Sequence, residues 1–324
     1  MVVIFNSKLS FNLAKTSVII ATRNRCSLLP RAVESAQRAC SDVEIVVVDD
    51  ASEDQTPEAC HRLGVDCIRL ERRLGVVAAR NIGLVASSSR YVSFLDDDDT
   101  RLPGSVDAQI ELLEAQPAAG MVYGKAFYGN AEGYANGTSY PEHCLQGDVF
   151  WELLCWNFIP CPTVVFRRAC LKRIGLLDEA APGIEDWDLW VRIAELYPVI
   201  AVDKAVAIWR QGTPGSDQFT SHSEKLHRDA YRLHREKWLR LPRAIEAGVA
   251  RRREAARDFA AQASQQLVWA AASRLRTGHL LDSTRVALAG ARLYPVNVTK
   301  KIFSVATLRS LKGGADRYWR TERT

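Results

Sequence analysis

No apolar run in this chain approaches the roughly 20 residues that a membrane-spanning helix needs. The opening, MVVIFNSKLSFNLAK, has an apolar start but no basic segment, no long apolar core and no small-residue cleavage site. Residues 1–15 therefore read as a short leader to the first strand, not a signal peptide, and the expected location is the cytoplasm. The two Asn-x-Thr sequons, at Asn136 and Asn297, carry no meaning there. No CxxC pair occurs among the eight cysteines, and no His stands near them at ligand spacing, so neither a zinc site nor a redox motif is expected. GxGxxG is absent too, which argues against a nicotinamide enzyme.

What is present is an ordinary globular composition, 47% hydrophobic and 25% charged over 324 residues, enough for one large domain and an appendage. The net charge of +5 conceals an asymmetry. Residues 220–324 hold 22 Lys and Arg against 9 Asp and Glu, and the rest holds 21 against 29. An acidic front and a basic tail suggest two tasks. For the tail, a solvated helix surface stands beside a contact with a membrane surface or polyanion.

Along the first 130 residues, β-branched runs alternate with helix-like stretches. The runs are SVIIAT (17–22), EIVVVDD (44–50), VDCIRL (65–70), RYVSFLDDDD (90–99) and MVYGKAFYG (121–129). Their continuous apolarity, without polar alternation, predicts a sheet covered on both faces. Helices are predicted at about 26–40, 54–63, 75–88 and 103–116. Such alternation implies a parallel α/β sheet with right-handed crossovers. Further on, PTVVFR (162–167) reads as a strand, 185–197 as a helix and 199–209 as a strand or strand pair. Past about 220 only helices are expected, two of them amphipathic around a turn at Thr277-Gly278. The predicted division is a leader at 1–15, a catalytic domain at 16–220 and a basic helical region at 221–324.

Four patterns bear on chemistry. In FLDDDDT, Asp96, Asp97, Asp98 and Asp99 follow an apolar strand. Each pair of unit charges about 4 Å apart repels by about 1 kcal/mol even in water, so the run implies a cation, the alternative being a solvated acidic turn that caps the helix before Pro103. Mg²⁺ or Mn²⁺ suits such hard oxygen ligands and commonly bridges carboxylates to substrate phosphates. The carboxyl ends of strands are where open α/β sheets bind ligands. Asp49 and Asp50 end another strand at the same predicted edge, where a carboxylate can accept from a base N–H or a ribose hydroxyl or simply cap the following helix. In GVVAARNIGL, Arg80 lies on a helix opened by Gly75 and offers a planar donor fork for a base carbonyl or phosphate. In PGIEDWDLW, Glu185, Asp186 and Asp188 crowd a helix start, which capping alone can explain. Beside Trp187 and Trp190, one of these carboxylates can gain a raised pKa and serve as a general base.

Together TSVIIATRNR, EIVVVDDAS, GVVAARNIG, FLDDDDTRLP and GIEDWDLWVR resemble the family 2 glycosyltransferases, in that family's order, over about residues 16–215. The resemblance implies the GT-A fold, a Rossmann-like α/β architecture with a mostly parallel central sheet flanked by helices, here with a C-terminal α-helical extension. It implies inverting transfer of a sugar from a nucleotide-sugar donor, usually a UDP-sugar, with a divalent metal, Mn²⁺ or Mg²⁺, as cofactor. Matched residue by residue, Asp50 corresponds to the carboxylate that holds the base. Asp96 and Asp98 are the acidic positions of the DxD motif, Asp98 the direct metal ligand and Asp96 a ribose or further metal contact. Asp97 stands between them within reach of the nucleotide, and Thr22, Arg23 and Arg80 lie near the base. Asp186 corresponds to the catalytic base, with Glu185 beside it.

Ala21 and Arg23 stand where the first motif usually reads Pro and Tyr, and Gly212 where many relatives carry a His. The QxxRW motif of processive synthases is missing, which favours addition of single sugars in cell-surface polysaccharide biosynthesis. A glycan or lipid-linked acceptor is expected against residues 128–161, where Tyr128, Tyr134, Tyr140, Trp151 and Trp156 can stack on sugars or simply fill core. The basic tail suits anionic lipid at the inner membrane face, or self-association as a helical hairpin; nucleic acid is not an expected partner. Alternatives are a nucleotidyltransferase, disfavoured because ATRNRCSLLP lacks phosphate-loop glycines, and a noncatalytic scaffold of the same fold.

Overall fold

A computed structural model describes residues 3–5, 15–211, 223–276 and 278–294. In chain order its early elements are β1 (Val3–Phe5), β2 (Thr16–Thr22), α1 (Leu29–Ala39), β3 (Val43–Asp49), α2 (Thr56–Leu63), β4 (Asp66–Arg69), α3 (Val76–Ala86) and β5 (Tyr91–Phe94). There follow β6 (Thr100–Arg101), α4 (Ser105–Ala115), β7 (Met121–Gly129), β8 (Ala135–Tyr140), α5 (Phe150–Cys155), β9 (Val165–Arg167), α6 (Leu171–Ile174), α7 (Glu185–Leu196) and β10 (Val199–Arg210). Helices close the described chain: α8 (Ser223–Glu236), α9 (Pro242–Glu246), α10 (Gly248–Arg276) and α11 (Leu280–Leu293).

The strands form one sheet in the order β1-β4-β3-β2-β5-β9-β7-β10-β6, with β8 paired to β7. β4, β3, β2 and β5 are mutually parallel, as are β7 and β10. Between these blocks β9 runs antiparallel to both neighbours. The sheet is thus mixed, where alternation alone predicted a parallel one. PTVVFR explains the difference: residues 161–163 form a 3-10 turn, which leaves only Val165–Arg167 to pair. Within the segment read as a leader, Val3–Phe5 extends the sheet antiparallel to β4.

The apolar runs are buried on both sides because helices cover both faces. Val18, Ile20, Val47 and Cys67 pack with Leu29, Val33 and Ala36 of α1, while Val46, Val48 and Ile68 pack with Ala79 of α3. α3 lies unusually close to the sheet: a Cβ at Gly83 would fall 2.5 Å from Ile19 Cγ2. Cys40, Cys60, Cys67 and Cys170 are buried, and all eight cysteines are free thiols.

The chain divides into two compact units, Met1–Val149 with Phe158–Ser216, and Phe150–Asn157 with Asp217–Thr324. In the second, α10 and α11 pack against each other and a buried cluster gathers His234, Trp238, Phe259 and Tyr294, with the His234 ring stacked 4.2 Å from Phe259. Among the described residues no helix is long and apolar enough to cross a membrane. Gly212, Thr277 and residues 295–324 lie outside the described residues.

Candidate active site

Because β2, β3 and β5 run parallel, Thr22, Asp49 and Phe94 finish at one edge of the sheet. The chain beyond each strand is fastened to its neighbours there. Asp50 N–H donates to the Thr22 carbonyl at 2.9 Å, and Asn24 accepts from Glu53 N–H at 2.7 Å while its own N–H donates to Ser52 Oγ. Asn24 and Ala51 both carry positive φ, a conformation seldom held outside constrained functional loops. Asp49 accepts from Ser52 N–H at 2.9 Å and is fully buried, a turn-forming role. Asp50 accepts from Leu74 N–H at 2.6 Å on one oxygen and Gly75 N–H at 2.9 Å on the other. Gly75, at φ 92°, is the residue that can present its amide this way before α3 begins. Each Asp50 oxygen keeps a second lone pair for a ligand.

The four aspartates after β5 are not equivalent. Asp97 is buried; Thr22 Oγ1 donates to it at 2.7 Å and Arg25 Nη1 at 2.5 Å. Arg25 also stands 3.4 Å from Asp98. Burial and the neighbouring Asp98 push the Asp97 carboxyl up to about 6, with Arg25 and Thr22 pulling against them. Asp99 is buried as well. Its Oδ1 accepts from Arg210 N–H at 2.8 Å, whereas Oδ2 has no hydrogen-bond partner. Burial, followed by Asp98 and Asp96, raises the Asp99 pKa well above the ordinary carboxylate range. Asp96, Asp98 and Asp99 each bring a carboxylate oxygen within 4.8 Å of the others. Three hard oxygen donors, one of them buried and orphaned, fit a divalent cation of the Mg²⁺ or Mn²⁺ kind.

Arg80 is buried on α3 and spans from this cluster to α7. One Nη donates to Asp96, the other to Glu185 at 2.7 Å, and the guanidinium lies 5.4 Å from the Phe94 ring centroid. Burial disfavours its charge, yet Asp96, Glu185 and Asp186 around it hold the pKa above the ordinary value. The fork expected to meet a base or phosphate is therefore occupied by carboxylates. A buried guanidinium among so many anions pairs with the nearest of them.

Glu185 accepts from Arg80 on Oε1 and from Gly183 N–H at 2.5 Å on Oε2, so it holds Arg80 and the start of α7 in place. Asp186, half-buried, accepts from Trp187 N–H at 2.6 Å. Burial and then the Glu185 charge push it up to about 7, against the pull of Arg80 and the Trp187 amide. Asp188 is fully buried and bound to Arg192 at 2.8 Å within α7, a structural pair. Trp190 is buried edge-on against Phe166, 6.0 Å away, and makes the apolar wall behind this helix.

Arg23 is half-buried, and its Nε is buried with no hydrogen-bond partner. Tyr128 is stacked on Trp209 at 6.0 Å, and Tyr140 is buried 6.5 Å from Tyr128. Tyr134 is exposed beneath Arg31, and Trp151 lies in the second unit with Arg251 over its ring at 4.5 Å. The sequence singled out Asp99 only as part of the aspartate run, not as a ligand, and did not single out Arg25. The signal for Asp99 was its place in the aspartate run; for Arg25 there was none beyond its nearness to Thr22.

The orphaned carboxylate makes a prediction. In metal-free protein, Asp99→Asn should raise stability at pH 8 by about 1 kcal/mol, or about 2–4 °C in Tm, because one buried like charge is removed. The sign follows from the raised pKa: the native state of the wild type binds a proton that the unfolded state releases near 3.8, so stability falls as pH rises above that value. The gain should shrink at pH 5 and vanish with saturating Mn²⁺. Calorimetric melts that show the variant less stable than wild type at pH 8 without metal would count against this account.

A mixed α/β sheet with carboxylates at its strand ends and an acidic helix start sharing one arginine has the features of a GT-A glycosyltransferase. The comparisons agree and go one step further. Residues 17–174 match the family described as Glycosyl transferase family 2. The chain is 31% identical over 211 residues to the uncharacterized glycosyltransferase YwdF of Bacillus subtilis, covering 63% of this chain and 77% of YwdF. It is 28% identical over 190 residues to WfaP of Escherichia coli, named a UDP-Glc:alpha-D-GlcNAc-diphosphoundecaprenol beta-1,3-glucosyltransferase, covering 55% of this chain and 69% of WfaP. Among solved structures, S. aureus TarS 1-349 with UDP-GlcNAc superposes with a TM-score of 0.60 at 19% identity, over 76% of this chain and 72% of that one. The mannosyltransferase PcManGT of Pyrobaculum calidifontis, with GDP-Man and Mn²⁺, gives 0.54 at 18%, over 92% and 87%. The chain belongs to glycosyltransferase family 2.

Proposed function

We propose that this glycosyltransferase moves a single sugar from a nucleoside-diphosphate sugar, a UDP-sugar first among them, to a hydroxyl of a glycan or lipid-linked acceptor in cell-surface polysaccharide biosynthesis. The observation that carries this is the convergence of the Asp96, Asp98 and Asp99 oxygens together with the bridge from Asp96 through Arg80 to Glu185, the chain neighbour of Asp186. Asp98 and Asp96, with Asp99, would hold a divalent cation, whose chemistry is to neutralise charge on the departing diphosphate. Asp50 and Thr22 belong to the nucleotide side, Arg23 and Asp97 beside them. Asp186 takes the proton from the acceptor hydroxyl as that oxygen attacks the anomeric carbon. The bond to the diphosphate breaks on the opposite face and its electron pair leaves with the diphosphate. Configuration inverts and no covalent enzyme intermediate forms. Glu185 and Arg80 position Asp186 and Asp96 for this step.

The donor is read by thermal shift and calorimetry against a panel of nucleotide sugars with Mn²⁺, Mg²⁺ or chelator. One donor class should bind with a dissociation constant on the order of micromolar to millimolar, the usual range for enzyme substrates, and lose that binding in chelator. Binding of every donor unaffected by chelator would remove the metal from the reading, and binding of none would remove the enzyme. WfaP's name gives its acceptor as a diphosphoundecaprenol lipid. A similar acceptor here would keep the protein at a membrane surface through its basic C-terminal helices, at the inner face of the membrane.

A further inference from the structure

On α11 the buried face is Ser283, Val286, Ala289 and Gly290, with Ser283 Oγ donating to the Ala271 carbonyl of α10 at 2.8 Å. The opposite face is a stripe. Leu281, Arg285, Leu288 and Arg292 recur at intervals of four, three and four residues, which keeps them within about 40° of one helical line. All four are exposed, Leu281 to 80% and Leu288 to 52%. At the near end of the helix Leu280 is 64% exposed, and Leu275 and Arg276 stand exposed at the close of α10. Asp282 is the acidic neighbour, 3.8 Å from Arg285 and about 100° round the helix from Leu281.

We propose that this Leu/Arg stripe is the surface by which the protein lies on an anionic bilayer. Leucines alternating with arginines along one line suit an interfacial helix: the leucines enter the acyl boundary and the arginine stems bend so that their guanidinium groups meet lipid phosphates. Charge selects the occupant. The region from 220 onward carries 22 basic against 9 acidic residues, so a second copy would bring a surface of the same sign. Residues 295–324 contribute 7 basic against 2 acidic residues to that charge. An anionic leaflet is attracted to both. The inference deepens the membrane contact proposed above and rests on it.

The full-length protein is sedimented with vesicles of phosphatidylcholine alone and of phosphatidylcholine with an equal part of phosphatidylglycerol. Wild type should pellet with the anionic vesicles, less so in high salt, and not with the neutral ones. Leu281→Glu/Leu288→Glu and Arg285→Glu/Arg292→Glu should each weaken that partition about tenfold or more, with unchanged circular dichroism and unchanged donor binding. Wild type that pellets with neither vesicle overturns the membrane contact itself. Wild type and both variants pelleting equally leaves the contact and overturns the stripe. A dimer in solution that Leu281→Glu/Leu288→Glu splits, with no vesicle binding lost, overturns it in favour of a second copy. Donor binding by thermal shift is independent of all three, so the glycosyltransferase reading stands or falls separately.

Discussion

Asp186→Asn should lower kcat by about a thousandfold while leaving donor affinity within about twofold, a split that belongs to a general base and not to a binding residue. Asn keeps the shape and can still accept the Trp187 amide on its oxygen, so α7 should fold as before. What it loses is the proton acceptor. The wild-type carboxyl is pushed up to about 7 by burial and by Glu185, so a free enzyme below that pH holds the inactive, protonated form. The log of kcat/KM should therefore rise with pH up to about 7 and level off, and the Asn variant should lack that rising limb. Stopped-flow or coupled assays across pH 5.5–8.5 read both effects. A variant with near wild-type turnover, or one whose KM alone moves, would transfer the base role away from Asp186.

Asp98→Ala strikes the other end of the same site. It removes one of the three oxygens that converge within 4.8 Å and should reduce Mn²⁺ affinity about a hundredfold, with kcat/KM down by three to four orders of magnitude, roughly the several kcal/mol that a Lewis acid contributes. Metal binding itself can be followed by the loss of the free Mn²⁺ resonance on titration, without substrate. Arg25 complicates the expected result in a useful way. It stands 3.4 Å from Asp98 and 2.5 Å from Asp97, so the protein supplies its own cation at the site. Losing Asp98 leaves Arg25 on Asp97, and the fold should survive the substitution. Mn²⁺ affinity unchanged in Asp98→Ala would show that Asp96 and Asp99 alone form the metal site.

The strands were legible because continuous apolar runs between helix-like stretches admit few other arrangements, and MVYGKAFYG became β7 with the ends it was assigned. The strand-end aspartates were legible for a related reason: charge crowded beside an apolar run has to be offset by something. What could not be read was which carboxylate meets which arginine. Arg80, already on Asp96, reaches Glu185 across 105 residues of chain, and Asp99 is fixed by an amide 111 residues away. Neither link leaves a trace in spacing or periodicity. The antiparallel insertion of β9 escaped notice because three residues of strand carry too little pattern to set a direction. Asp97, read as a residue within reach of nucleotide, is buried with Thr22 and Arg25 as its partners, unlike Asp96 and Asp98 on either side, a difference that spacing does not encode.

Gly83 offers no chemical group, yet α3 can approach Ile19 as closely as it does only because nothing larger than hydrogen stands at that position. One turn earlier on the same helix Arg80 reaches both carboxylate groups, and at its start Gly75 delivers its amide to Asp50. A methyl at 83 would shift the helix as a rigid rod, so the partners it fastens, Asp50, Asp96 and Glu185, would drift together. A blind mutational screen scored on turnover should therefore flag this silent position beside the aspartates, and evolution should find it as hard to vary as the charged residues it never touches.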